Sequence, residues 1–180
     1  MQLNSDRLVL DEISWQDLKR IHFLHSIPEV DEYNTLGIPK DIEQTREIIA
    51  ATITDQENEN RSRFEWICSE KESSEMIGMC GMFLSAARFK SAEIYFKLAP
   101  GFWGKGYGTE IARTLVLFGF DTLKLHRIDA GVATENVRSI HLLEKLGMQR
   151  EGLHREILPI RGEWKDNYHY AILENDPRDY

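Results

Sequence analysis

The chain has 180 residues, 42% of them hydrophobic, and carries 30 acidic against 22 basic side chains for a net charge of −8. That length suits a single domain, 1–180, with its own core. The acidic balance excludes a phosphate-backbone partner, because non-specific nucleic-acid affinity needs clustered Lys and Arg, and it favours a cationic substrate instead.

In chain order, Arg7 to Leu10 is a short β-like run. Ser14 with Asp17 three residues on resembles a capping box that starts a helix through Leu18, Ile21 and Leu24, interrupted by Pro28. Asp31 to Gly37 is irregular, and Asp41 is placed to cap a second helix with Ile42, Ile49 and Ile53 on one face. After the polar loop Asp55 to Arg61, Phe64, Trp66 and Cys68 alternate as strand positions do. Met76 to Leu84 and Ala92 to Leu98 complete a three-strand meander that ends at Pro100. A helix with Ile111, Leu115 and Phe118 on one face then leads to a strand, Arg127 to Val132. A second such unit follows: a helix from Asn136 to Leu146, Gly147 as its C-cap, and a return to strand at Met148. The chain closes with strand-like runs near Leu153 to Leu158 and Trp164 to Leu173, so the order predicts an α/β (α+β) domain with a mixed sheet. No window reaches the roughly 18 apolar residues of a membrane span. Met1 to Asp6 lacks the basic-then-apolar pattern of a leader, so a cytoplasmic protein with no membrane partner is expected. Cys68 and Cys80 fall in apolar runs, which predicts buried reduced thiols, and no His or Cys spacing matches a ligand set, so no metal is expected.

Chemistry concentrates at Trp103-Gly104-Lys105-Gly106-Tyr107-Gly108, where a strand gives way to a helix. Glycines there remove Cβ atoms, and several backbone N–H groups can converge on an anion at the positive helix end. No Ser or Thr follows Lys105, which departs from the P-loop; Thr109 stands where a dinucleotide fingerprint needs glycine, although Asp129 lies about 20 residues on. A tight turn whose glycines serve geometry alone stays open.

Ser5 to Leu10, Ala92 to Phe96, Gly101 to Glu110, and Asn136 to Ser139 leading into Leu143 to Met148 together resemble the GNAT N-acetyltransferase superfamily, in particular its Rim-type, ribosomal-protein N-terminal acetyltransferase branch. The resemblance implies a mixed central β-sheet, splayed at the cofactor site and flanked by helices. It also implies acetyl-coenzyme A as co-substrate, with the pyrophosphate on the backbone of Gly104, Lys105, Gly106, Tyr107, Gly108 and Thr109. Pantetheine would then lie along Phe96, Lys97 and Leu98 and on Asn136, whose other reading is an N-cap. The superfamily often has Gln or Arg where this chain has Trp103, a departure the branch shares. Lys105, Arg113, Arg138 and Lys145 are open candidates for the ribose phosphate.

For transfer to an amine, an N–H near Leu98 is the candidate oxyanion donor and Glu93 the first candidate base, with an exposed strand carboxylate or a partner to a basic residue as its alternative. Leu143 stands where many members have a late-helix tyrosine, and the resemblance makes Ser139, one turn after Asn136, the candidate substitute proton donor, with helix packing or a backbone hydrogen bond as its other reading. Tyr168, His141 and His154 fall near the same region. The expected acceptor is a primary amine, with a protein N-terminus favoured by the branch, and a polyamine or aminoglycoside as the alternative. Acids in Ile27 to Lys40 and Leu158 to Asn167, namely Glu29, Asp31, Glu32, Glu163 and Asp166, suit either. A non-catalytic acyl-coenzyme A sensor and a homodimer are further possibilities.

Overall fold

The computed structural model describes residues 1–178. Its elements are β1 (Gln2–Asn4), β2 (Leu8–Glu12), α1 (Leu18–His25), α2 (Ile42–Asp55), β3 (Arg63–Glu70), β4 (Met76–Leu84), β5 (Ser91–Leu98), α3 (Tyr107–Leu117), β6 (Arg127–Ala133), α4 (Val137–Lys145), β7 (Gln149–Ile160) and β8 (Glu163–Leu173). The strands form one sheet in the order β1-β2-β3-β4-β5-β6-β8-β7. Among the described residues only β5 and β6 run parallel, which is what a crossover through α3 requires.

Strand alternation gives the sheet two apolar faces. Phe64, Trp66 and Cys68 of β3 and Ile94 of β5 join the larger core with Ile111, Leu115 and Val116 of α3 and Leu143 of α4. The intervening Ile67, with Met79 of β4, packs under Ile21 and Leu24 of α1 and Ile49 of α2. Trp66 is fully buried, and Phe118 meets it edge-on with ring centroids 5.5 Å apart. Such an edge-to-face pair is the arrangement that ring quadrupoles favour.

Local capping follows the sequence expectations. Ser14 and Asp17 form a reciprocal capping box, Asp41 accepts from the Gln44 amide at 2.9 Å, and Gly147 ends α4 at φ +86°. Three features depart from them. β1 was not expected, and it pairs with β2 at the sheet edge. The returns to strand at Met148 and at Leu153 are one strand, β7, whose register slips between Arg150 and Gly152. The helix meant to carry Phe118 stops at Leu117 and widens into a π-turn over Phe118–Thr122, yet Phe118 stays buried.

The two cysteines are free and buried on the α3 face of the sheet, their sulfurs 3.6 Å apart. Burial pushes the Cys80 thiol well above its usual range.

The start of the chain is locked onto α3. The Ser5 hydroxyl and the Arg7 amide donate to Glu110 Oε1 at 2.6 and 2.7 Å, and Arg7 Nε donates to Oε2 at 2.7 Å. Burial raises the Glu110 carboxyl, but these donors outweigh it and hold the group below the usual carboxylate range.

Two outcomes are expected. A Cβ at Gly78 would lie 2.1 Å from the Lys97 carbonyl oxygen, so Gly78→Ala forces β4 from β5 and lowers stability by about 1 to 3 kcal/mol, measured by urea denaturation. Because the folded value of Glu110 is depressed, its stabilisation is present at neutral pH and lost as pH falls through that folded value. Glu110→Gln should therefore cost roughly 1.5 to 3 kcal/mol at pH 7, with the gap to the parent closing in acid; a gap that stays constant with pH would refute this.

Candidate active site

β5 and β6 pair only through Ser91 with Arg127, Ala92 with Ile128 and Glu93 with Asp129, and then diverge. Ala99 donates to the Ile77 carbonyl of the neighbouring strand. The alternation of an antiparallel ladder therefore turns the main-chain groups of Leu98, Phe96 and Ile94 toward the gap. The gap opens into a cleft of about 610 Å³. Ile94 to Leu98 form one wall, and the small residues Ala130, Gly131 and Ala133, with Val132, form the other.

One end of the cleft is the glycine-rich turn. Gly104 and Gly106 adopt φ +74° and +84°, conformations that cost a glycine little. Asp41 caps α2 and Asn136 caps α4 with a side chain, but the N-cap of α3 is Gly106, which has none to offer. The first intrahelical donor is Glu110, bonded to the Gly106 carbonyl at 3.1 Å. The amides of Tyr107, Gly108 and Thr109, all on the cleft wall, are left for an outside acceptor at the positive end of a helix. Behind the turn, Arg7 Nη1 donates to the Lys105 carbonyl at 3.0 Å, and its guanidinium lies 4.2 Å from the Tyr107 ring centroid.

Most of the expected site residues line this cleft: Phe96, Lys97, Leu98, Trp103, Gly104, Gly106, Tyr107, Gly108, Thr109, Asn136 and Ser139. Trp103 Nε1 donates to the Leu98 carbonyl at 2.8 Å and its ring is stacked 4.0 Å beneath the Arg138 guanidinium, so this side chain closes the end of β5. Asn136 Oδ1 accepts from the Ser139 amide at 3.2 Å, which is the N-cap reading, and its side-chain amide nitrogen is not used in that bond. Leu143, where a tyrosine was looked for, is buried at the wall.

Two expected residues stand elsewhere. Glu93 is exposed and lies in the last β5–β6 pair, before the strands part, so it is not on the cleft wall. Lys105 is not on the cleft wall; its ammonium lies 5.3 Å from the ring centroid of Phe102, which is. Tyr168 and His154 are likewise not on the cleft wall, one under Arg150 at 4.5 Å and the other stacked on His169, whereas His141 lines it.

The roof comes from the α1–α2 connection, the irregular segment whose acids the sequence assigns to the acceptor, although nothing there singles out Val30, Tyr33 or Asn34. Glu29, Val30, Tyr33 and Asn34 line the cleft. The Tyr33 hydroxyl donates to the Glu135 carbonyl at 3.3 Å, and Glu32 faces Arg138 at 3.7 Å. Arg161, in the β7–β8 turn, donates to the Pro28 carbonyl at 2.7 Å and reaches the buried Asp31 at 3.5 Å. Below, the Tyr95 hydroxyl donates to the buried carboxylate of Glu65, which burial raises above the usual range despite bonds from Thr52 and Tyr95. The sequence signals for this layer were polar residues, Glu65 and Lys97, on strand positions whose neighbours are apolar.

The arrangement can hold an extended chain along the β5 edge, an anion at α3, and a second reactant under the roof. A family model described as acetyltransferase (GNAT) domain matches residues 7–149. A Bacillus licheniformis protein named as an uncharacterized N-acetyltransferase, p20, is 35% identical over 175 residues, 97% of each chain. A crystal structure of a GNAT-family acetyltransferase from Bacillus anthracis superposes with a TM-score of 0.82 at 29% identity, covering 98% of this chain and 100% of that one. Spermidine N-acetyltransferase from Vibrio cholerae, solved in complex with CoA and spermine, superposes with a TM-score of 0.83 over 94% of this chain and 97% of its own, a likeness of fold at 24% identity. With the family model and a full-length relative agreeing with the splayed sheet, the chain belongs to the GNAT family and is an acetyltransferase.

Proposed function

We propose that the chain, acting as one domain over 1–180, moves the acetyl group of acetyl-coenzyme A directly to a primary amine, with a protein N-terminal α-amine as the favoured acceptor. The observation that carries this reading is the side-chain-free N-cap of α3, which opens onto the unpaired edge of β5. Acetyl-coenzyme A supplies an activated thioester on a carrier whose pyrophosphate matches the free α3 amides and whose pantetheine amides match the edge of Phe96 and Leu98. The likeness in fold to a protein crystallised with CoA supports the same choice.

Within that frame, this chain's residues have distinct tasks. The Leu98 N–H, fixed by the β4–β5 ladder, is placed to donate to the oxygen on which charge develops when an amine attacks. Ser139, half-buried on the cleft wall one turn into α4, returns a proton to the departing thiolate. Glu29 is the only carboxylate among the described residues on the cleft wall, and it replaces Glu93 as the group that draws the amine and receives its proton through water. Holding two reactants in one cleft contributes much of the rate by itself. The Rim-type sequence resemblance supports the N-terminal acceptor. A second reading, acetylation of a polyamine, is favoured by the fold neighbour solved with spermine.

Purified protein is expected to release free thiol from acetyl-coenzyme A in the presence of at least one amine of a panel spanning peptides, polyamines and aminoglycosides. Cofactor binding without release on any amine would leave the sensor reading in its place. Gly106→Val, which puts a β-branched residue at φ +84°, should raise the KM for acetyl-coenzyme A by about 10-fold or more. Ser139→Ala should lower kcat by about 100-fold; equal turnover would remove the proton-donor assignment.

A further inference from the structure

Lys97 is the last residue of β5 before Leu98, and by alternation its side chain leaves the sheet on the α1–α2 face. It is half-buried beside Asn34, and both residues line the cleft. Among the described residues, its Nζ has one hydrogen-bond partner, Asn34 Oδ1 at 3.4 Å, and no carboxylate within ion-pair distance. An ammonium has three donors, so the protein's own atoms leave part of this donor set open on the cleft wall. The neighbouring acids are already engaged: Glu65 holds the Tyr95 hydroxyl, and Asp31 accepts from Asn34 Nδ2 at 3.3 Å and faces Arg161. His25, on the same face, is turned to the Met79 sulfur at 3.2 Å, and burial, aided by Lys97 and His22, lowers its ring to about 3, so it brings no charge of its own at neutral pH. Burial likewise lowers the Lys97 ammonium below the usual lysine value, against the pull of Glu65 and Asp31. This is a cation with donors to spare, under the roof where the acceptor enters.

We infer that Lys97 binds an oxygen carried next to the acceptor's amine, the carbonyl of a peptide or the carboxylate of an amino acid, and so selects amines of that class over polycations. The inference rests on the reading of the cleft as an acetyl-transfer site. It draws on a different observation, because a second ammonium arriving beside Lys97 meets like charge in a poorly solvated place. A carbonyl or carboxylate there completes the lysine's donor set instead.

The test compares kcat/KM for three acceptors of similar size: an amino acid with a free carboxylate, the same residue at the start of a short amidated peptide, and a polyamine without any carbonyl oxygen. The parent protein should favour one of the two oxygen-bearing acceptors, and which of them it favours separates a free amino acid from a peptide N-terminus. Lys97→Met should shrink that preference by about 10-fold or more, the worth of a hydrogen bond to a charged group, chiefly through the acceptor's KM. Lys97→Gln, which keeps a donor, should recover part of it. Both variants replace a half-buried ammonium with a neutral side chain of similar length, and because the readout is a ratio between acceptors, a loss of folded protein cancels. A fall of equal size on every acceptor, or a parent preference for the polyamine, overturns the inference while leaving acetyl transfer intact. Absence of thiol release with all three acceptors and with the wider amine panel would instead remove the transfer reading on which it rests.

Discussion

Two parallel strands that part after three residue pairs leave a row of main-chain groups without partners, and the site is organised around that single defect in the sheet. Unpaired N–H and C=O groups away from water are costly, so a fold keeps such an edge only where something else meets it. The residues around the gap show how this is managed. Trp103 satisfies the Leu98 carbonyl, small side chains on β6 keep the gap open, and the contacts of Tyr33 to the β6–α4 turn and of Glu32 to α4 hold a roof over it. The groups still free run in a line from β5 to the start of α3, and the shape of the cleft follows from that line.

The same strand also separates two kinds of recognition. Phe96 and Leu98 pack toward α3 and α4, while Tyr95 turns with Met79 toward α1 and α2. A displacement of β5 is therefore felt on both faces at once. The far side of the gap is braced separately: Arg127 of β6 reaches Asp129 and Glu151, each at 2.6 Å, and Asp129 meets His169 of β8 at 3.0 Å. Burial opposes but does not outweigh the Glu151 and Asp129 bonds, which keep the Arg127 guanidinium firmly charged.

Features set by short-range chemistry were legible in the sequence. Ser14, Asp41 and Gly147 announce helix ends because capping needs those side chains at those offsets, and the glycines at 104 and 106 announce a backbone that a side chain would obstruct. What stayed hidden depends on long-range pairing. Glu93 shares a strand with Phe96 and Leu98, and nothing in Ala92 to Leu98 marks where the neighbouring strand turns away; the parting comes one residue after Glu93. Asn34 and Tyr33 sit in a segment without periodicity, fixed by Arg161 from the opposite end of the chain. The net charge of −8 favours a cationic substrate only as a property of the whole surface, whereas the cleft wall itself carries both a carboxylate, Glu29, and an ammonium, Lys97.

The thiols of Cys68 and Cys80 are enclosed between the sheet and α3, where no aqueous reagent reaches them while β3 and β4 remain paired. The intact protein thus contributes no reactive sulfur to a colorimetric measurement of liberated coenzyme A, and the appearance of its own signal over time becomes an internal clock for the opening of the sheet.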